Sequence, residues 1–552
     1  MNLFLKSVLS LLLLFLLTAL IITLLLPFNN TVLHFFVNRF DYFENIEDAY
    51  SIFANRSYLF FQLILIFSII IVVVAFIKVD ILSKWLSSFL YYTKRAVINI
   101  FNDLKSKNII LLLVIPVISS IFFAFTIPIS LDEALTYIYL TNEPLYWSYS
   151  SYYEPNNHVL HSLITHLTKR IPFFNTLFCI RVSAILSTFL TWVILYSFVK
   201  KYFSEKVSLF VVAISSMMFM SVYYSYMSRG YSLTTLFFVI CLYAAFNIMK
   251  NDSKNKDWAF FSIAGVLGMY TIPSFLYPFF TLNFLILIYN YKKIKQQVLF
   301  NLLTGIATFS LYIPIMIRHG IGALTANGWV VPIDRKEVLL KLPTFFSQTI
   351  QEIVGIPAII SGIIILSAFI YTCWNKDKPK LILWAVFGLS PVCLLLLHSV
   401  IPFPRTFAYY TIIIAFLVGI SYGSLINKIP KTWLTIGLFI IQIACFINFY
   451  RHIGEYESFN THYHDINKRI IEKDKTYYVV SGFGCYNHRF EMLVNDCDLK
   501  NVVYKDIYWT KEDVSADTIS GYDYVIIDAV RDKTVRRKPI YSNKEQNLYK
   551  KK

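Results

Sequence analysis

The feature that most constrains this chain is a series of apolar segments, each about as long as a bilayer is thick. A helix needs about 20 apolar residues to cross the hydrocarbon core. Segments of that kind fall at residues 7–26, 58–77, 109–128, 177–199, 207–224, 232–249, 258–272, 274–290, 298–317, 352–372, 381–399, 407–426 and 432–450. The seventh and eighth are short and split by Pro273. Backbone in lipid must satisfy its own hydrogen bonds, so each run is predicted to be a helix. The predicted fold class is an all-α polytopic membrane protein with about thirteen transmembrane helices. Only 15% of the 552 residues are charged, against roughly 25% in a soluble chain. The first segment follows Lys6 and lacks a small-residue cleavage site, so it is read as a retained anchor.

The formal net charge is +17. In a soluble domain that excess would suggest nucleic acid. Here most of it lies in short loops, where it sets membrane orientation and implies no nucleic-acid partner. Lys78, Lys84, Lys94, Arg95, Lys105 and Lys107 share one side with Lys200, Lys201 and Lys206. Later loops add Lys250, Lys292, Lys293, Lys376, Lys380, Lys428 and Lys431 to that side. The rule that cytoplasmic loops are basic then puts the N-terminus inside, in the cytoplasmic (inner) membrane, and the C-terminal part outside. Residues 81–107 mix Trp85, Leu86, Phe89 and Leu90 with basic residues, the pattern of an amphipathic helix on the cytoplasmic face.

Three regions follow. Residues 1–108 hold two N-terminal spans and the amphipathic segment, 109–450 the main membrane domain, and 451–552 a soluble domain. In the last, "TYYVVSG" (476–482), "NVVYK" (501–505) and "YDYVIIDAV" (522–530) read as strands, and "NHRFEMLVND" as a helix. That pattern predicts a small α/β extracytoplasmic domain. It carries no phosphate loop, GxGxxG or HExxH motif, and Cys485 and Cys497 are a candidate disulfide.

Chemistry concentrates in the outside loop 129–176. "SLDEALTYIYL" brings Asp132 and Glu133 out of the third span. Acidic residues there also suit a helix N-terminus. Next, "YEPNNHVLHSLITHL" places Val159, Leu160, Leu163, Ile164 and Leu167 at helical spacing, with His161 and Thr165 facing the other way, as in an interfacial helix. "YYSYMSRGYSL" (223–233) puts Arg229 between apolar segments, and "IPFPRTFAYY" (401–410) does the same for Arg405. Arginines at membrane depth suit phosphate, or they snorkel to headgroups.

In this order the pieces resemble the GT-C superfamily of polyprenyl-phosphate-sugar-dependent glycosyltransferases. The likeness is greatest to the bacterial branch of protein O-mannosyltransferase-like and aminoarabinose-transferase-like proteins. The matching elements are Asp132-Glu133, "PNNHxLH" (155–161), "RxSxxL" (181–186), "RxYSL" (229–233) with Tyr231, and "PRxxxYY" (404–410). The likeness covers roughly 109–450, and the two N-terminal spans look like an addition. It implies an inverting transfer of sugar from a polyprenyl monophosphate donor to an extracytoplasmic lipid, glycan or protein acceptor. It implies Asp132 as general base, Glu133 as its orienting partner, and Arg229, Arg405 and Arg181 as phosphate candidates. Glu154, His158, His161 and Tyr231 complete the substrate-binding set. Some relatives hold a divalent cation near this loop, so Glu154, His158 and His161 are also candidate ligands, although no metal is assigned. Pro155 follows Glu154 where the aminoarabinose branch has a Lys, which argues against that particular sugar. The likeness further implies that loop 318–351, with Arg318, His319, Trp329, Asp334 and Arg335, closes over the site. The competing readings are a transporter or flippase of a lipid-linked sugar, an O-antigen ligase or polymerase, and a structural or sensor protein.

Overall fold

The structure is a computed structural model that describes residues 2–25, 56–152, 156–250, 255–320, 322–325, 330–506, 521–529 and 538–551. All thirteen apolar segments contain helix. Among the described residues, seven helices are long and apolar enough to cross a membrane, or up to ten if each of three bent pairs is one crossing. The chain is a multi-pass membrane protein. The difference from thirteen comes from broken and short helices such as Tyr410–Ser421.

Two compact units divide the chain: residues 1–102 with 313–322, and 103–312 with 323–552. In the first, α1 (Asn2–Leu25) packs on α2 (Arg56–Ile77). The helix α3 (Val79–Asp103) turns 81° away from α2, and Trp85 stacks on Phe89 at 5.4 Å. A long helix that mixes apolar and basic residues and turns this sharply suits a membrane surface.

The second unit holds the bundle that builds the site. It opens with α4 (Lys107–Thr126), which ends at extended Ile127 before Pro128. Proline disfavours helix in the residue before it. The short helix α5 (Leu131–Thr136) follows, continued by a π turn over Tyr137–Thr141. Next come α6 (Val159–Thr168) and α7 (Thr176–Tyr202). Helices α8 (Glu205–Met217) and α9 (Phe219–Tyr226) are one apolar stretch bent by 66° at extended Met218. This bend aims residues 227–230 at the acidic helix before α10 (Tyr231–Met249) begins. Much of the expected loop 318–351 is instead α11 (Arg335–Val354), capped by Asp334 and stopped by left-handed Gly355. Trp329 lies outside the described residues.

The bundle closes with α12 (Tyr410–Ser421) and α13 (Lys431–Tyr456). On α13, buried Gln442 donates to the Leu112 carbonyl at 2.9 Å and lies 3.3 Å from the Ser216 hydroxyl, tying three helices in an apolar setting. Phe123 packs on Phe449 at 4.9 Å and on Tyr226 at 5.7 Å. At the far end of the bundle, Glu205 accepts from Lys431 at 2.6 Å, Tyr196 at 3.0 Å and Ser106 at 3.1 Å.

After α13 come α14 (Ser458–Ile470), β1 (Tyr477–Ser481), α15 (Gly484–Val494), β2 (Val502–Asp506), β3 (Tyr524–Asp528), β4 (Tyr541–Ser542) and β5 (Gln546–Lys550). The sheet order is β2-β1-β3-β5-β4, with β1 parallel to β2 and β3 and with β5 antiparallel to both its neighbours. The three expected strands and the helix are present, and β4 and β5 are additional. Cys485 and Cys497 are not joined, so the structure lacks the candidate disulfide; the Cys485 thiol faces the Ser481 carbonyl at 3.0 Å.

Helix α12 approaches α8 closely at Gly419, where a Cβ would stand 2.6 Å from Val211 Cγ2 and 3.2 Å from Phe210. Gly419→Leu should therefore overpack this contact and destabilise the bundle by about 1–3 kcal/mol. A thermal melt of the detergent-purified variant that matches wild type would disprove the close contact.

Candidate functional site

The acidic helix begins with a capping box. Ser130 Oγ accepts from the Glu133 N–H at 3.4 Å, and Glu133 Oε2 accepts from the Ser130 N–H at 3.0 Å. Such a box satisfies two amide donors that a helix start leaves free. It also decides which acid goes where. The Glu133 side chain is wholly buried, whereas that of Asp132 is 29% exposed.

Glu133 meets Arg181 from α7 in a two-pronged pair, with Nη2–Oε2 at 2.7 Å and Nε–Oε1 at 2.9 Å. The Ser228 N–H donates to Oε1 at 2.6 Å. Arg181 spends its other donors on the carbonyls of Ala124, Ile127 and Pro128 at 2.8–3.1 Å. All five of its N–H groups are engaged. Burial pushes the Glu133 carboxyl up, but Arg181 and the Ser130 and Ser228 amides outweigh it and hold it below the usual range. Glu133 and Arg181 are thus a buried scaffold pair, and neither faces the cleft.

Asp132, on the open side, sits between two guanidinium groups. Its Oδ2 lies 3.3 Å from Arg405 Nη1 and 3.9 Å from Arg229 Nη2. Arg229 is buried and fixed: Nη1 donates to Thr136 Oγ1 at 2.8 Å, the Asn156 carbonyl at 3.1 Å and the Asp132 carbonyl at 3.3 Å. The Arg405 side chain is 38% exposed. Arg405 stands on a 3-10 turn (Pro404–Phe407) against which α11 packs. Acidic helix, Arg229 and Arg405 therefore meet at one end of the bundle, as the loop count predicts.

The histidines have other tasks. The Gly230 N–H donates to His158 Nδ1 at 2.8 Å, and His158 Nε2 lies 3.3 Å from Arg229 Nη2. A Cβ at Gly230 would come within 2.7 Å of Thr271 and 2.9 Å of His158, so this contact requires glycine. His161 Nδ1 meets Ser183 Oγ at 3.0 Å, and its Nε2 meets Ser228 Oγ at 3.2 Å. Burial, with Arg229 beside it, pushes His161 down to about 3. Burial and then Arg229 also push His158 well below its ordinary value. These rings do not suit a cation. Three of their four nitrogens are engaged within the protein, and the fourth faces a guanidinium. Glu154 lies outside the described residues.

Tyr231 stacks obliquely on Tyr224 at 4.4 Å and meets the His158 ring edge-on at 5.0 Å. With Arg405, Thr234, Ser274 and Thr406 it lines a crevice enclosing about 270 Å³ of unfilled space. A second crevice of about 310 Å³, lined by Thr188, Thr191, Ser221, Tyr224, Ser232 and Thr235, adjoins it at Ala408. Two carboxylates near the site escape a sequence reading. Glu352 stands on α11, and burial pushes the Glu457 carboxyl up, with Tyr223 and Asn460 acting against it. Glu352 is a single acid beside an apolar run and Glu457 follows Glu455 in a polar stretch, so neither stands in a motif.

Two outcomes follow. Arg181→Gln should destabilise the protein by about 3–5 kcal/mol, since it leaves a buried carboxylate unpaired. The double change with Glu133→Gln should recover part of that loss in the same melts, and strict additivity would refute the pairing. For His161 the folded chain keeps the ring neutral down to about pH 3, while the unfolded chain protonates near 6.5. Below 6.5 the unfolded state binds more protons, so stability falls as pH falls from 6.5 towards 3. His161→Gln should flatten the dependence of melting temperature on pH in that window; an unchanged slope would contradict it.

No protein-family profile matches the chain, and no curated protein does. Solved structures do. ArnT from Cupriavidus metallidurans bound to undecaprenyl phosphate aligns with TM-score 0.53 and 10% identity over 80% of this chain and 96% of that one. The apo state of the same protein aligns with TM-score 0.54 and 10% identity, over 80% and 97%. The chain therefore has the fold of the ArnT structures, as the resemblance of its ordered motifs implies.

Proposed function

We propose that this chain is a membrane glycosyltransferase. It moves a sugar from a polyprenyl monophosphate donor to an extracytoplasmic acceptor, with inversion at the anomeric carbon. The observation that carries this reading is the half-exposed Asp132 carboxylate set between Arg405 and Arg229, in a chain with the ArnT fold. One of the ArnT structures is bound to undecaprenyl phosphate, which supports a donor of that class here.

Asp132 takes the proton of the acceptor hydroxyl or amine as that atom attacks the anomeric carbon. The bond from anomeric carbon to phosphate oxygen breaks, and the phosphate leaves with the electron pair. Arg405 and Arg229 meet the charge that develops on it. Arg229 is a fixed charge, because its contacts hold it in place before any donor arrives. Arg405 is the exposed partner of Asp132, so a bound phosphate competes for it and frees the carboxylate to accept a proton. Tyr231 lines the same crevice, where it packs against the leaving group. The basic loops support an orientation with the N-terminus cytoplasmic and both the site and the C-terminal domain outside.

The test is transfer by purified protein from polyprenyl-phosphate glucose and related monophosphate donors, read as release of polyprenyl phosphate. Asp132→Asn should lower the rate at least about a hundredfold. Full activity in that variant refutes the role of Asp132. Turnover of diphosphate donors alone would favour the ligase or polymerase reading.

A further inference from the structure

The acidic helix is too short to hold itself. Leu131–Thr136 is six residues, and helices below about 12 residues are marginal without tertiary support. Glu133 secures one side of it through Arg181. The other side, Ala134 with Tyr137 and Ile138 of the π turn, is buried against Phe490 of α15. The Phe490 and Tyr137 rings meet edge-on at 5.1 Å.

A polar chain runs beside this contact. The Asn487 amide on α15 reaches the Ile129 carbonyl at 3.5 Å, one residue before the Ser130 cap. It also lies 3.4 Å from Asn460 Oδ1. Asn460 donates to Glu457 at 2.6 Å, and Glu457 accepts from Tyr223 of α9 at 2.6 Å. Helix α9 leads into Arg229. The C-terminal domain thus touches the segments that carry both Asp132 and Arg229.

We propose that α15 of the C-terminal domain is a clamp on the acidic helix, with Phe490 and Asn487 as positioning residues that hold Asp132 at its working geometry. The effect on catalysis rests on the glycosyltransferase reading above; the clamp itself does not. Loss of the Phe490 ring frees α5 and its π turn, while the Arg405 crevice stays intact. Catalysis is sensitive to small displacements of a reacting group, and Asp132 is carried by the freed helix, whereas Arg405 and the crevice residues around it stand on other elements and Arg229 keeps its contact with the Asn156 carbonyl.

The experiment compares full-length wild type, Phe490→Ala and Phe490→Leu. Hydrogen–deuterium exchange without donor should show the amides of 131–141 exchanging about tenfold faster in Phe490→Ala, with the other spans unchanged. With donor, kcat should fall about tenfold or more, and by a larger factor than donor KM rises. Phe490→Leu, which keeps an apolar group against Tyr137, should restore both. If Phe490→Ala does not purify, Asn487→Ala carries the same measurements. Unchanged exchange at 131–141 overturns the clamp. Faster exchange with unchanged kcat overturns the positioning role. A wild type that transfers no sugar overturns only the functional reading, because the exchange data still decide the clamp.

Discussion

The geometry of this site depends on the buried pair between Glu133 and Arg181. Two charges taken out of water carry a penalty of several kcal/mol each, which only close pairing and full hydrogen bonding offset. Both conditions are met. Glu133 accepts four hydrogen bonds, and every Arg181 donor is engaged. Such a pair adds little net stability over an apolar substitute, but it tolerates one arrangement. Arg181 gathers the end of α4, the turn at Ile127–Pro128 and the acidic helix, while Glu133 draws in the amide of Ser228. Ser228 precedes Arg229. Fixing one buried carboxylate therefore also fixes the guanidinium beside Asp132.

Adjacent acids consequently do opposite work. In a helix, neighbouring side chains point about 100° apart, so a short helix packed on two sides must bury one acid and expose the other. The capping box selects Glu133, whose longer side chain reaches back to Ser130. Asp132 is left facing Arg405. Among the described residues, Asp132 then faces two guanidinium groups, an excess of positive charge at that carboxylate.

Much of this was legible in the sequence. The apolar runs gave the helices, and the loop charges put Asp132, Arg229 and Arg405 at one end, where contacts between their side chains now join them. What was not legible has physical causes. Crossing number depends on bends such as that at Met218, which hydropathy does not register. Arg181 at a span start reads like a headgroup anchor or a phosphate ligand, because sequence does not reveal the three carbonyls that saturate it. The strand β5 lies in "EQNLYK", which has no apolar run; its pairing with buried β3 makes it a strand. The expected loop 318–351 holds a helix from Arg335, which Asp334 caps and Gly355 ends, and its polar residues at the start hide that helix in the sequence.

The histidines show why position and spacing alone mislead. His158 and His161 have the spacing of a ligand pair; both are buried, and His158 lies beside Arg229. A third positive charge here would oppose Arg229 and Arg405. Burial and Arg229 keep both rings neutral, and neutrality suits their contacts. His161 sits between the Ser183 and Ser228 hydroxyls, and so ties α6 to α7 and to the residue before Arg229. His158 accepts the Gly230 amide on the other side of that arginine. The residues flanking Arg229 are thus each held by an imidazole, with the guanidinium anchored on Thr136 and Asn156. A cation bound to these rings would remove those acceptors and add charge where the cleft already has an excess. The same histidines that suggest a metal site on paper serve in the fold to aim an arginine.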